Sequence, residues 1–253
     1  MRSLHVFCNG RSLESVSGLI LIRDVVDGVP KEELSYGGNP GRTGQLLLAR
    51  RRVNRSVNVV FAIRELRNLA ARADVVDWAN AWAQDGILQI SNRLHQRLRV
   101  VCAARAAIQK PRDYTEEFTL SFDAPWPYWE ETIPVRLELT GTSASGTLRC
   151  TGTAPSLARA VITPTGGTLT QMSLTLGESI ITLIGLSVPS GMELAIGYDE
   201  RDILRISAGG VQLLSKRTEE STDDLMAKPG MNQVSFTADT ACTVNLEVRG
   251  AWL

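Results

Sequence analysis

The chain has 253 residues, of which 43% are hydrophobic and 21% are charged, and this composition predicts a soluble globular protein with a sizeable core. Basic and acidic side chains balance at 27 each, which argues against a protein that binds nucleic acid through its net charge. The two halves differ mildly, since residues 1–130 carry 18 basic and 14 acidic side chains and residues 131–253 carry 9 and 13. This asymmetry suggests two domains.

The sequence shows no segment that would place the chain in a membrane. No run approaches the roughly 18 apolar residues of a membrane span, and the opening MRSLHVFCNG lacks the apolar core of a signal peptide. We therefore expect no membrane partner and synthesis in the cytoplasm. The cysteines, Cys8, Cys102, Cys150 and Cys242, are far apart without a C-x-x-C pair, which favours buried free thiols over disulfides or a zinc site.

Residues 1–130 predict a mixed domain in which strands surround one helix. Apolar alternation predicts strands at residues 3–8, 19–26, 46–49, 57–63, 87–90, 98–103 and 118–122. The glycine-rich stretch 37–44, GGNPGRTG, predicts a mobile loop or turn.

Residues 67–84 carry the helix pattern of this half. The predicted helix has one apolar stripe, with a second group beside it, formed by Leu69, Ala73, Val76 and Ala83 and by Val75, Trp78 and Trp82. Asn68 is a suitable N-cap, and Asp85-Gly86 is a suitable stop.

The segment 118–129, FTLSFDAPWPYW, ends a strand in a stiff aromatic hook. Proline at positions 125 and 127 stops the strand and excludes a helix. Trp126, Tyr128 and Trp129 then follow at once, which is the pattern of a docking element at a domain junction. An ordinary aromatic plug over the end of a core explains the same residues equally well.

After Glu130 the sequence changes to short strands separated by Gly, Pro, Ser and Asp turns. Candidate strands lie at residues 135–139, 146–150, 160–163, 168–174, 180–183, 193–196, 203–206, 212–214, 233–236 and 244–248. Ten short strands without a helix pattern predict an antiparallel β-sandwich.

Residues suited to catalysis are few. His5 is predicted in the first strand and His95 in a hairpin tip, and neither has a Cys, Asp or Glu pair at metal-ligand spacing. The 37–44 loop lacks the lysine of a phosphate-binding loop, and the adjacent acids at 219–220 and 223–224 fit a solvated turn. The sequence therefore predicts no enzyme, no metal site and no cofactor.

The basic run Arg50, Arg51, Arg52 with Arg55 lies between two predicted strands. A solvated hairpin tip explains it most simply. A second interpretation makes these arginines partners for acidic residues of another subunit, since a guanidinium binds a carboxylate through two bonds. Contact with DNA ranks third, because no aromatic residue is interleaved with the run.

Two blocks of the sequence resemble the distal tail (Dit) proteins of siphophages and prophages, which form the tail tip or baseplate hub. The first runs from Arg112-Asp113-Tyr114 through 118–129, where the family has a strand, an acidic residue, a proline and an aromatic pair. The second is DLMAKPGMNQVSF at 224–236, followed by a last strand with Arg249 and Trp252. The order of elements agrees over the whole chain.

The resemblance implies a mostly β virion structural protein with two domains. Residues 1–130 would be an α+β ring-forming domain with one helix on antiparallel sheets, and residues 131–253 a galectin-like β-sandwich. The protein would form a homohexameric ring at the distal end of the tail, assembled in the cytoplasm of the host bacterium. Its partners would be the tail tube protein, a tail-associated hub, lysin or fibre protein, and the tape measure protein, with no membrane and no sequence-specific nucleic acid.

Two other classes compete with this interpretation. One is a carbohydrate-binding or adhesin module, although galectin-type sugar sites use a tryptophan platform with a histidine, and residues 131–253 contain only Trp252 and no histidine. The other is a different tail tube or baseplate component. We therefore expect the C-terminal sandwich to act as a scaffold or adaptor.

Overall fold

A computed structural model of the protein describes residues 4–17, 19–38, 45–64, 69–107, 117–199 and 202–253. The chain forms two compact units: the N-terminal unit comprises Met1–Trp129 with Leu253, and the C-terminal unit comprises Glu130–Trp252. The described residues form twenty β-strands and one α-helix, so the predicted mostly β fold class is confirmed.

The elements of the N-terminal unit follow the predicted order, with two additional strands. They are β1 (Val6–Cys8), β2 (Arg11–Ser12), β3 (Ile20–Asp27), β4 (Glu32–Gly38), β5 (Gln45–Arg52), β6 (Arg55–Ile63), α1 (Leu69–Trp82), β7 (Gly86–Ile90), β8 (Gln96–Ala104) and β9 (Glu117–Ala124). Strand β10 (Trp129–Glu131) includes the boundary between the two units, which falls after Trp129. His5 precedes β1, so its predicted place inside the first strand is wrong, whereas His95 lies in the turn between β7 and β8 as predicted.

Seven of these strands form one antiparallel sheet in the order β2-β1-β7-β8-β9-β6-β3. In β6, Val57, Val59 and Phe61 are buried at alternate positions, as the sequence pattern predicts. Strand β9 places Leu120 opposite Val59 and Phe118 opposite Phe61, and the two phenylalanine rings stack at 5.5 Å. The paired apolar faces of β6 and β9 therefore form the centre of this core.

Helix α1 packs part of its predicted stripe into the core. Its buried apolar residues include Val75, Val76 and Trp82, with Ala83 buried just beyond its end. Trp78, which was predicted beside the stripe, is 52% exposed, whereas Ala79 and Arg72 are buried. Asn68 and the side chain of Leu69 lie outside the described residues.

Strands β4 and β5 form a two-stranded antiparallel sheet of their own, here called the ribbon. Strand β4 was not predicted, and the first two residues of the predicted loop, Gly37 and Gly38, belong to it. Residues 39–44 of that loop lie outside the described residues.

The C-terminal unit is built from strands of very unequal length. They are β11 (Val135–Cys150), β12 (Ser156–Pro164), β13 (Leu169–Leu176), β14 (Ser179–Val188), β15 (Leu194–Tyr198), β16 (Leu204–Ala208), β17 (Val211–Gln212), β18 (Met226–Ala227), β19 (Gly230–Val248) and β20 (Ala251–Trp252). Two pairs of predicted short strands are each one long strand, β11 and β19. The predicted strand at 212–214 ends at Gln212 and is followed by a 3₁₀ turn at Leu214–Lys216.

Strand β19 explains how the unit becomes a sandwich. Its first part, through Ala238, pairs with β13, and its second part, from Cys242, pairs with β12, while β11 follows it along both parts. The β11–β19 register shifts between Gly141 and Ser143, which marks the bend. The two parts face each other across one core, so the predicted antiparallel β-sandwich is confirmed.

Candidate functional site

The predicted arginine run and the predicted aromatic hook meet in the N-terminal unit. They form a group that we call the arginine–aromatic cluster, made of Asp27, Arg52, Arg55, Arg93, Tyr128 and Trp129. Its residues come from distant parts of the sequence, at the end of β3, on either side of the β5–β6 turn, in the β7–β8 turn and in the hook.

A close approach of two chain segments positions the acidic residue of the cluster. Asp27 ends β3, and the next residue, Gly28, donates its backbone N–H to the carbonyl of Ser56 at 3.0 Å. A Cβ atom at position 28 would lie 2.7 Å from that carbonyl oxygen, so only glycine fits here without a shift of the backbone. The contact fixes the end of β3 beside Arg55, the first residue of β6.

Asp27 is the hub of the cluster because three side chains converge on its carboxylate. The indole Nε1 of Trp129 donates a hydrogen bond to Oδ2 at 3.0 Å. Nη2 of Arg93 lies 3.3 Å from the same oxygen, and Nη1 of Arg55 lies 3.4 Å from Oδ1. A single carboxylate thus holds two cations and the end of the hook.

Arg55 is a buried charge, with 3% of its side chain exposed. Burial lowers the pKa of Arg55, the Asp27 carboxylate opposes this shift, and the nearby Arg93 cation adds to it. Arginine remains protonated in proteins, so the charge persists and depends on Asp27 for compensation. Arg55 therefore has its acidic partner within its own chain.

Arg93 and Trp129 make a second contact. The guanidinium carbon of Arg93 lies 5.1 Å from the centroid of the Trp129 ring, within the range of a cation–π interaction. Trp129 is fully buried, so its ring is held on its face by Arg93 and at its nitrogen by Asp27.

Arg52 connects the ribbon to the hook. A hydrogen bond to the side chain of Tyr128 is the main reason that the pKa of Arg52 is raised, and Glu32 adds to the effect at a distance of 3.5 Å. The Tyr128 ring meets the Trp126 ring edge-on at 5.1 Å. Arg52 is exposed, which leaves its outer side open to solvent.

The sequence predicted four of the cluster's members and missed two. The sequence singled out Arg52, Arg55, Tyr128 and Trp129. The structure brings these residues together with Asp27 and Arg93, and no sequence pattern around Asp27 or Arg93 distinguishes them from other charged residues. The backbone of Arg50 and Arg51 lies in β5, but their side chains lie outside what the structure describes. The predicted role of the arginines at a subunit interface stays a prediction, as does the junction role of the aromatics.

The remaining candidate residues have local roles. His5 contacts the carboxylate of Glu14 in the same unit. Asp223 forms an ion pair with Arg217 at 3.1 Å, and burial, followed by the neighbouring Asp223 charge, raises the pKa of Asp224. Within the described part of the chain, no group of three or more His, Cys, Asp or Glu residues is arranged to hold a metal ion.

The cysteines are free thiols. Cys8, Cys150 and Cys242 are buried and Cys102 is half-buried. Burial is the main cause that raises the pKa of the three buried thiols, which keeps them protonated and unreactive.

The C-terminal unit has an open groove of about 610 Å³ on the outer face of β11, β19, β12, β15 and β16. Two of its arginines are held by carboxylates, Arg136 by Glu247 at 3.6 Å and Arg205 by Asp199 at 2.8 Å. Two of the three arginines that line the groove are therefore paired with carboxylates.

Small residues form part of the floor of this groove. A Cβ atom at Gly197 would lie 3.6 Å from Cγ of Arg159, so the arginine stem lies against the glycine. The aromatic residue among the lining, Tyr198, is buried, and its hydroxyl donates to the carbonyl of Leu225 in the core. The groove thus lacks the exposed aromatic platform on which a sugar ring stacks.

Comparisons with known proteins bear on the fold. No protein-family model matches the sequence, and no curated protein matches it either. Among solved structures the chain is similar to the SPP1 Dit (gp 19.1) protein, described as a paradigm of the hub adsorption apparatus in phages that infect Gram-positive bacteria. The match covers 99% of both chains with a TM-score of 0.67 and 15% identity.

The chain has the fold of a phage Dit protein. The resemblance found in the two sequence blocks is confirmed at the level of the fold. Two structures of the phage P2 baseplate in its activated conformation, with Ca and with Sr, are also similar at 7% identity, with TM-scores of 0.46 and 0.47. They cover 98% and 97% of this chain and 97% of each of those chains.

Proposed function

We propose that the protein is a structural component of a phage tail tip, a Dit-like subunit without catalytic activity. The observation that carries this proposal is the fold match to SPP1 Dit over 99% of both chains. Two units of different architecture are matched in one alignment, which is more specific than a match of a common β-sandwich alone.

In this proposal the protein forms a homohexameric ring. Residues 1–130 form the ring, and residues 131–253 are a galectin-like sandwich that projects from it. The tail tube protein stacks on one face, and a tail-associated hub, lysin or fibre protein binds the other, next to the tape measure protein. The ring assembles in the cytoplasm of the host bacterium and remains in the virion, or in a prophage-derived tail particle.

Ring assembly requires a head-to-tail interface that closes by rotation. The opposite charge balance of the two halves of the chain supplies complementary surfaces for such an interface. Arg52 fits this role among the predicted arginines because it is exposed, whereas Arg55 is occupied by Asp27 of its own chain.

The test is the mass of the purified protein by light scattering coupled to gel filtration. We expect a species of about six times the 27.6 kDa of the chain, and six-fold rings in negatively stained micrographs. A monomer at every protein concentration would overturn the ring proposal.

The two-domain assignment has a separate test. We expect the fragment 131–253 to fold alone, because the sandwich has its own core, from Leu139 to Val248. Amide spectra with folded dispersion support the assignment, and an unfolded spectrum contradicts it.

A carbohydrate-binding module is the main alternative. The open groove on the sandwich is the feature that favours it, and the paired charges and buried Tyr198 disfavour it. A thermal-shift screen with mono- and disaccharides distinguishes the two functions, since we expect no shift for a scaffold.

A further inference from the structure

Helix α1 of the N-terminal unit presents an unusual face to solvent. Trp78 is 52% exposed, and it lies on one side of the helix with Asp74 and Asp77, which are one turn and one residue before it. Ala70 and Ala81 are exposed at the two ends of this face. We call these five residues the α1 face.

The composition of the α1 face is that of a contact surface. A solvent-facing stripe in a monomer is normally made of long charged side chains, whereas this one has a tryptophan between alanines. Neither Asp74 nor Asp77 forms an ion pair with a residue that the structure describes. Exposed tryptophan flanked by unpaired carboxylates suits a partner that is apolar and basic.

The ribbon of the same unit has the complementary composition. Leu34, Tyr36, Leu47 and Leu48 are each about half exposed or more. A two-stranded sheet with its apolar residues in water is marginal in stability, so a covering partner would stabilise it. Strands β4 and β5 also carry three arginines against two glutamates, a net charge of +1.

The α1 face and the ribbon are complementary in charge, and both expose large apolar side chains. The α1 face supplies two carboxylates around a large aromatic side chain, and the ribbon supplies arginines around leucines. Opposite charges at the rim of an apolar contact fix its register and steer its formation. A ring needs two different patches on every subunit, one for each neighbour, and these two patches lie on different elements of one unit.

We propose that the α1 face of one subunit docks on the ribbon of a second copy of this chain. The inference rests on the proposed ring and names the surfaces that close it. Trp78 then packs among Leu47 and Leu48 of the neighbour, and Asp74 and Asp77 meet its arginines.

The test uses two complementary variants of the full chain. The first is Asp74→Arg/Asp77→Arg, which reverses the charge of the α1 face. The second is Leu47→Glu/Arg50→Glu, which makes the ribbon acidic. In register Arg50 faces Leu34 rather than a glutamate, and Leu47 faces Tyr36, so the second variant places no glutamate opposite another across the ribbon.

Each variant alone should be monomeric by light scattering. Mixed together, they should form an alternating hexamer, because both of its junctions join opposite charges. The native ribbon of the first variant meets the native α1 face of the second, and the basic α1 face of the first meets the acidic ribbon of the second. The variant with all four changes exchanges both charges and should recover the hexamer. Variants that stay hexameric alone, or a mixture that stays monomeric, would overturn the inference.

A matched control reverses two exposed acids elsewhere. Glu219→Arg/Glu220→Arg changes the net charge equally on a turn of the C-terminal unit and should leave the hexamer intact. Trp78→Ala should weaken the ring without lowering the far-UV circular dichroism signal, because its side chain is half exposed. Loss of the ring in the Glu219/Glu220 control would also overturn the inference, since net charge alone would then explain the effect.

The outcome also separates the inference from the proposed function. A monomeric wild-type protein contradicts the ring itself and, with it, the docking of the two surfaces. A hexameric wild type whose Asp74→Arg/Asp77→Arg variant stays hexameric contradicts only the docking. If that variant stays hexameric and instead loses a tail tube protein, the α1 face binds that partner and the inference is wrong.

Discussion

Trp129 donates its indole N–H to the carboxylate of Asp27 across 102 positions of the sequence, at 3.0 Å. This bond joins the end of the aromatic hook to the end of β3, and Arg93 lies over the face of the ring. The hook is therefore part of the N-terminal unit up to its last aromatic residue. Trp129 is fully buried against the charged hub, whereas Trp126 and Tyr128 are half-buried.

Replacement of the buried tryptophan should be costly. We expect Trp129→Ala to lower the free energy of unfolding by about 3–5 kcal/mol, since it removes a fully buried aromatic side chain and leaves a cavity. Trp78→Ala, at a half-exposed site, should change it by less than about 0.5 kcal/mol in protein kept monomeric by dilution. Urea denaturation measures both, and an unchanged midpoint for Trp129→Ala would contradict the assigned contacts.

Removal of the Asp27 carboxylate should lower the free energy of unfolding more than removal of the buried Arg55 guanidinium. Asp27→Ala leaves Arg55 buried without compensation, at a cost of about 3 kcal/mol, the lower end of the range because Asp27 is one-fifth exposed. Arg55→Met should cost less, because Asp27 keeps Arg93 and Trp129. The double variant should be more stable than the sum of the two losses predicts. Strict additivity in urea denaturation would show that the two residues are not coupled.

Local sequence pattern predicted most of the fold because burial alternates wherever a strand has one face in the core. Residues 57–63 and 118–122 are examples in which every second side chain is buried. The ribbon strand β4 escaped detection because it pairs only with β5 and has exposed residues on both faces, with two glutamates and two glycines that are poor strand formers.

The long strands β11 and β19 were each predicted as two strands for a related reason. At the bend around Gly141 and Ala238 the alternation of buried side chains is interrupted. From the sequence pattern alone, such an interruption predicts a turn between two strands. In helix α1, spacing placed Trp78 beside the apolar stripe. Apolar residues lie on more than one side of this helix, so spacing alone cannot tell which side meets the core.

Part of the arginine–aromatic cluster was predictable because runs of similar residues stand out in the sequence. Three consecutive arginines and a group of aromatics are visible in the sequence, whereas Asp27 and Arg93 are single charges whose importance comes from their distance to Trp129 in space. Such pairings depend on tertiary contacts between strands that are far apart in the chain.

The stability of the C-terminal unit should fall in alkaline solution through Tyr198. Its hydroxyl donates to the carbonyl of Leu225 at 3.0 Å and accepts from the backbone N–H of Leu225 at 2.7 Å. Burial is the main cause that raises the pKa of Tyr198 above its ordinary value of 10.0. Above that pH the unfolded chain loses the proton while the folded one retains it, so stability decreases as the pH rises.

The variant Tyr198→Phe isolates this effect. At neutral pH it should be less stable by about 1–2 kcal/mol, because both backbone groups of Leu225 lose a partner. From about pH 10 upward the difference in unfolding free energy between the two proteins should narrow, since only the wild type carries the titrating group. A constant difference between pH 8 and pH 11 would contradict the buried neutral phenol.

Gly141 should resist replacement because of its backbone conformation. It has a φ of 117° at the register shift of β11, a region that other residues rarely adopt. The nearest atom to an added Cβ is 3.7 Å away, so the expected loss of about 1–3 kcal/mol in Gly141→Ala is conformational rather than steric. Gly167→Ala, at a turn with no positive φ, is the control, and equal melting temperatures would contradict the strain.

Because β19 contributes hydrogen bonds to both layers of the C-terminal unit, neither layer can be lost while the other survives. The unit should therefore respond to a mechanical load as one cooperative element, with β13 and β12 released together when the shared strand is pulled out. Under such a load the unit either holds its shape or unfolds entirely. A single rupture event per sandwich in a force-extension trace would be the signature of that behaviour.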